Sequence, residues 1–149
     1  CDFIRGVKET TGIEFTSPDL NKGEKGKIKA QIEQQRDFWH NLQWQPGGQQ
    51  LFRYLKSSQP YILSAYAGWD KNCKEGKQSW IKRNLMISKQ RINLVKRVDK
   101  QKYATTDGVQ NILIDDYLKN IKEWEKAGGI GIHHINVQTS INSLKKQGF

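Results

Sequence analysis

The chain has 149 residues, 36 % of them hydrophobic, 27 % charged and 10 % aromatic. That is the length and composition of one globular domain, and it excludes a disordered, collagen-like or coiled-coil chain; no apolar run approaches the roughly 18 residues that cross a bilayer, so no membrane partner is expected. The net charge of +10 attracts phosphate, whether on a nucleotide or a polynucleotide.

In chain order, Phe3, Ile4 and Val7 make a short apolar start. Asp2, Arg5 and Lys8 stand among them, unlike a signal peptide. A loop rich in Thr, Ser, Gly and Lys follows, in which Ser17-Pro18-Asp19 carries a helix N-cap signal. Apolar residues at 28, 32, 39 and 42 predict one amphipathic helix over 28–42. Pro46-Gly47-Gly48 breaks that pattern. Leu51, Phe52, Tyr54 and Leu55 predict another helix to about Lys56, ended by Ser57-Ser58-Gln59-Pro60. Tyr61-Ile62-Leu63 reads as a short buried strand. Cys73, Lys77, Trp80, Ile81 and Leu85 fall at helical spacings over 73–85. Ile92-Asn93-Leu94-Val95 and Asn111-Ile112-Leu113-Ile114 read as strands. A helix over 117–126 is stopped by Gly128-Gly129, Ile130-Gly131-Ile132-His133 is a last strand, and Val137, Ile141 and Leu144 mark a C-terminal helix. This alternation predicts an α/β domain with a parallel sheet flanked by helices.

The charge is concentrated. Residues 71–102 hold eleven Lys or Arg against Glu75 and Asp99, a local excess of +9. Such a run serves either as a solvated face or as a phosphate or nucleic-acid surface. Two cysteines, Cys1 and Cys73, have neither disulfide-framework nor metal-site spacing, so a reducing, cytoplasmic setting is expected. Cys73 reads as a buried small residue. His133-His134 lacks a third ligand at metal spacing and reads as structural. Phe38, Trp39 and Trp44 either pack in the core or stack on a base.

Ligands of open parallel sheets gather at the carboxyl ends of the strands. Ser64 follows the first predicted strand, the basic segment 96–102 follows the second, and Asp115-Asp116 follows the third. Adjacent carboxylates suit a hard cation such as Mg²⁺, which bridges readily to a phosphate. They also suit the first turn of a helix, where acids oppose the macrodipole.

Tyr61-Ile62-Leu63-Ser64, a later lysine, and Ile112-Leu113-Ile114-Asp115-Asp116 resemble motifs of the haloacid dehalogenase-like phosphohydrolases. Phe38-Trp39-His40-Asn41-Leu42, Pro46-Gly47-Gly48, Gly76-Lys77-Gln78-Ser79-Trp80, Asn120, Trp124 and Gly128-Gly129 resemble the branch of 5′(3′)-deoxyribonucleotidases and their phage and bacterial relatives. The resemblance covers residues 1–134. It implies a single Rossmann-like domain, with 5–45 as a small helical cap, acting as a Mg²⁺-dependent hydrolase of nucleotide monophosphates. In it, Ser64 binds the transferring phosphoryl group, and Lys100, with Lys102 as the fallback, neutralises phosphate charge. Lys77 is a second phosphate-side lysine, Trp39 lines the substrate side, and Asp115 and Asp116 ligate Mg²⁺.

The sequence departs from that pattern in one respect. The family's Asp-x-Asp-Gly, which supplies the nucleophile and the general acid/base, has no counterpart here, since no Asp-x-Asp occurs. Asp2 is not preceded by a strand. The resemblance therefore makes the chain an N-terminally truncated form with little or no activity. It places the missing strand between those ending at Ser64 and Asp115. Order then requires those two strands to pair, or a second copy to donate a strand, so a homo-oligomer is expected. A second reading is a non-catalytic phosphate or nucleic-acid binding module built on 71–102.

Overall fold

The computed structural model describes residues 3–13 and 22–149; the N-cap signal at Ser17-Pro18-Asp19 lies outside them. In chain order the elements are α1 (Phe3–Thr11), α2 (Lys22–Glu33), α3 (Phe38–Asn41), α4 (Gly48–Leu55), β1 (Ile62–Ala65), α5 (Cys73–Leu85), β2 (Ile92–Val95), β3 (Thr105–Thr106), β4 (Val109–Gln110), β5 (Ile112–Asp115), α6 (Leu118–Lys126), β6 (Ile130–His133) and α7 (Val137–Lys146). Single 3-10 turns occupy Lys56–Ser58 and Lys89–Arg91, and a longer 3-10 stretch runs over Arg97–Tyr103. The chain is a mixed α/β protein. No described helix is long and apolar enough to cross a membrane.

The chain forms two compact units, one from the described parts of Cys1–Gln45 and Tyr66–Ile92, the other from Pro46–Ala65 and Asn93–Phe149. The expected cap segment 5–45 falls in the first.

In the first unit, α1 packs on α2 and α3 packs on α5. The helix expected over 28–42 is two helices. Asp37 leaves the helical path with ψ near 8°, and Phe38 N bonds back to Gln35 O, so a turn separates α2 from α3. Gln34, Gln35 and Arg36 are exposed there, and no apolar residue between Ile32 and Phe38 anchors a continuous helix. Trp39 and Phe38 are 3 % and 6 % exposed, so they pack in the core. Their rings meet edge to face at 5.1 Å, and Phe3 stacks on Trp39 at 5.4 Å. Polar clasps fix α3 on α5. Trp80 Nε1 donates to Leu42 O at 2.5 Å, and Arg83 donates to both His40 O and the His40 ring. Gly76 permits this approach, because a Cβ there would stand 2.7 Å from Trp39 Cβ. Cys73 is wholly buried, as expected; burial pushes its thiol up from its ordinary range, against the Ala67 N–H bond that lowers it.

The second unit holds the small sheets. β1 pairs with β2, β3 with β4, and β5 with β6. The β5–β6 ladder is parallel, with Ile112 opposite Ile130 and Asp115 opposite His133. α6 covers both of these strands, α7 packs against β6 and α4, and the 3-10 stretch lies against β1 and α6. Ala104, Leu113, Ile121 and Trp124 make the core, with Leu63 of β1 packed on it. The single parallel sheet of the sequence reading is thus divided. Among the described residues no ladder joins β1 to β5, so direct pairing of those two strands is not how the chain orders itself. The sequence reading also missed the β3–β4 hairpin, a two-residue loop with Asp107 and Gly108 at φ 50° and 80°. Positive φ at both loop positions is what Asp-Gly favours.

Candidate functional site

The carboxyl end of β5 is the most organised polar cluster of the second unit. Asp115 is the last residue of β5, one position earlier in the fold than the sequence suggested, and is 9 % exposed. Lys100 comes from the 3-10 stretch and is 8 % exposed; its Nζ donates to Asp115 Oδ2 at 2.6 Å. Asn120 Nδ2, from α6, donates to the same oxygen at 3.0 Å. Tyr117 N donates to Oδ1 at 2.8 Å, so the carboxylate also shapes the entry to α6. Three hydrogen bonds thus occupy most of the roughly four lone-pair sites of this carboxylate.

Behind it lies a second layer that sequence reasoning did not find. Arg97 Nη1 donates to Asn120 Oδ1 at 3.0 Å and to Glu123 Oε2 at 2.7 Å, and Nη2 reaches Glu123 Oε1 at 3.2 Å. The guanidinium accepts nothing, so it fixes the Asn120 amide with its oxygen toward Arg97 and its nitrogen toward Asp115. A chain of contacts runs from Glu123 through Arg97 and Asn120 to Asp115 and Lys100. No local pattern connects these positions. Only the docking of α6 on the 3-10 stretch does.

The hydrogen bond from Arg97 holds Glu123 below the ordinary carboxylate range, and Glu123 in turn raises Arg97. A depressed acid stabilises the fold above its unfolded titration, roughly pH 4.3 for glutamate, and that stability is lost as pH falls below it. Arg97 stays charged throughout this window. Arg97→Met should therefore flatten the fall in thermal midpoint between about pH 5 and pH 3. A variant whose midpoint falls as steeply as the parent's would remove the pair from the acid response.

The expected site residues separate by unit. Ser64, Lys100, Asp115 and Asp116 belong to the second, Lys77 and Trp39 to the first. Ser64 lies inside β1 rather than after it, and is half-buried. The 3-10 stretch carrying Lys100 packs against that strand. Asp116 is exposed, and its carbonyl accepts from His133 Nε2 at 3.1 Å. His134 Nδ1 shares a hydrogen bond with Ser140 Oγ at 2.7 Å, a structural use of that side chain. Lys102 pairs with Asp99 at the surface, so Lys100, not Lys102, is the lysine brought to Asp115. Lys77 stands over the Trp39 ring, 5.3 Å from its centroid. Trp39 Nε1 donates to the buried Asp70 at 2.6 Å.

As a metal site, the β5 end offers two carboxylates. No group of three or more His, Cys, Asp or Glu converges among the described residues. Mg²⁺ tolerates such a set, since it keeps several waters and is often held by one or two carboxylates plus a phosphate. The donor set fits Asp116 as a direct ligand. Asp115, engaged by Lys100 and Asn120, fits as one reached through water.

No family model, curated protein or solved structure matches this chain.

Proposed function

We propose that the second unit is the phosphate-handling part of a Mg²⁺-dependent phosphohydrolase. The particular reading is a haloacid dehalogenase-like, Rossmann-like hydrolase of nucleotide monophosphates, akin to the 5′-nucleotidases. The observation that carries it is the buried Lys100–Asp115 pair. These residues are fifteen positions apart and meet at 2.6 Å at a strand's carboxyl end, as the resemblance implies for the lysine and the paired aspartates. Lys100 would offset phosphate charge, and Ser64 would hold a phosphoryl oxygen by its hydroxyl. Asp116 would hold Mg²⁺ directly and Asp115 through water. The resemblance also implies Lys77 and Trp39 as substrate contacts; both belong to the first unit and Trp39 is buried, so the reading rests on the residues of the second unit alone. Mg²⁺ would supply charge neutralisation at the phosphate oxygens. The sequence contains no Asp-x-Asp, so on this reading none of the residues named here is the nucleophilic carboxylate.

Calorimetric titration tests the binding half of this proposal without requiring turnover. Mg²⁺ alone should bind weakly, and inorganic phosphate should strengthen it several-fold. Asp116→Asn should remove that coupling. Tight stoichiometric Mg²⁺ binding without phosphate, or no influence of phosphate at all, would count against the site.

A further inference from the structure

The basic run over 71–102 is not one continuous surface. In the second unit three of its four cations are met by acids, Arg97 by Glu123, Lys100 by Asp115 and Lys102 by Asp99. The part in the first unit is different. Residues 66–92 hold seven Lys or Arg against Asp70 and Glu75. Asp70 is buried, accepting from Trp39 Nε1 and from Asn72 N.

Three lysines there stand over three aromatic rings. Lys29 Nζ is 5.5 Å from the centroid of Trp69, Lys74 is 5.3 Å from Tyr66, and Lys77 is 5.3 Å from Trp39. The pairs are contiguous. Trp39 and Trp69 have centroids 6.1 Å apart, and Lys74 and Lys77 are neighbours on one face of α5, three residues apart. Trp39 is buried, but Trp69 and Tyr66 are only half-buried, while Lys29, Lys71 and Lys74 are exposed.

A lysine over a partly exposed ring is a weak contact that a better π partner can displace. A nucleobase is such a partner, and the displaced ammonium then finds a phosphate. We propose that this lysine–aromatic surface binds single-stranded nucleic acid. Bases stack on Trp69 and Tyr66, and Lys29, Lys71 and Lys74 turn to the backbone phosphates. A duplex keeps its bases stacked on each other and gives the rings nothing to hold. A membrane surface would need an exposed apolar helix face, whereas Cys73, Trp80, Ile81 and Leu85 of α5 are all buried. The inference is independent of the phosphohydrolase reading, since it takes a polymer and its contacts are Trp69, Tyr66, Lys29, Lys71 and Lys74, none of which that reading uses.

The test is titration of the full chain with a twelve-residue oligothymidylate at low salt, read by tryptophan fluorescence. Binding should quench the emission and weaken with salt. Trp69→Ala should weaken it about tenfold, in line with the loss of one stacked base. Lys71→Ala and Lys74→Ala, both at exposed positions, should each lower the salt slope by about 0.7. These two carry the test if Trp69→Ala disturbs the fold, and Trp69→Phe should retain most of the affinity. No binding at low salt overturns the proposal. So does equal binding of duplex DNA, dextran sulfate or anionic lipid vesicles that is indifferent to Trp69.

Discussion

Asp115→Ala is expected to cost the protein about 3–5 kcal/mol, the usual penalty for removing one partner of a buried ion pair. Lys100 is 8 % exposed, and the carboxylate is its partner at 2.6 Å. Alanine leaves that ammonium buried without its carboxylate. It also removes the acceptor for Asn120 Nδ2 and Tyr117 N, donors that are costly to leave unmade. Typical domains have only about 5–15 kcal/mol to lose. Lys100→Met should cost less, because the carboxylate it leaves behind keeps both of those donors. The double variant Lys100→Met/Asp115→Leu should recover only the part of the loss due to the stranded ammonium, since apolar replacement of a buried pair is often close to neutral but Asn120 Nδ2 and Tyr117 N still lack their acceptor. Urea denaturation checks this ordering through midpoints at an unchanged slope. If Asp115→Ala lies within about 1 kcal/mol of the parent, the pair behaves as a solvated one.

Much of the fold was legible wherever periodicity and punctuation agreed. α5 and β2 fall on the expected 73–85 and 92–95, and β6 falls on Ile130–His133. Each of these has a helical or strand pattern longer than its ambiguity. Reading failed where one apolar residue had to decide. Ile32 and Trp39 lie at helical spacing, yet the polar segment between Ile32 and Phe38 turns. α1 was read only as an apolar start, because Phe3, Ile4 and Val7 are too few to show a period. The Asp107-Gly108 hairpin is legible in its loop chemistry, but its two-residue strands are too short to show an alternating pattern. At the candidate site, the resemblance pointed to Lys100 and the paired aspartates. The roles of Arg97, Asn120 and Glu123 depend on how α6 docks on the 3-10 stretch, and spacing carries no such information. The charge run misled in another way. Summed along the chain it is one cluster, but folding pairs Arg97, Lys100 and Lys102 with acids and sets Lys74 and Lys77 over aromatic rings.

The 149-residue chain is expected to hydrolyse neither an aryl phosphate nor deoxynucleotide monophosphates above background, with Mg²⁺ present. Electrostatic stabilisation is usually the largest catalytic term, and Lys100, Ser64 and Asp116 would supply it. A phosphoryl-enzyme route also needs an attacking carboxylate. Asp115 cannot serve, since it is 9 % exposed and bound to Lys100, Asn120 and Tyr117 N. On the proposed reading, fusing an apolar strand that ends in Asp-x-Asp-Gly ahead of Cys1 should confer Mg²⁺-dependent turnover. β1 and β5 belong to different ladders, and Leu63 of β1 packs on the core that holds Leu113 of β5; the resemblance implies that the added strand would stand between them. In that fusion, Lys100→Ala or Ser64→Ala should then lower kcat about 10²–10³-fold, the scale seen when one preorganised charge or donor is removed. Replacing the first added Asp with Asn should abolish turnover. Robust turnover by the 149-residue chain itself, lost on Ser64→Ala, would place the attacking group among residues already present and overturn this assignment.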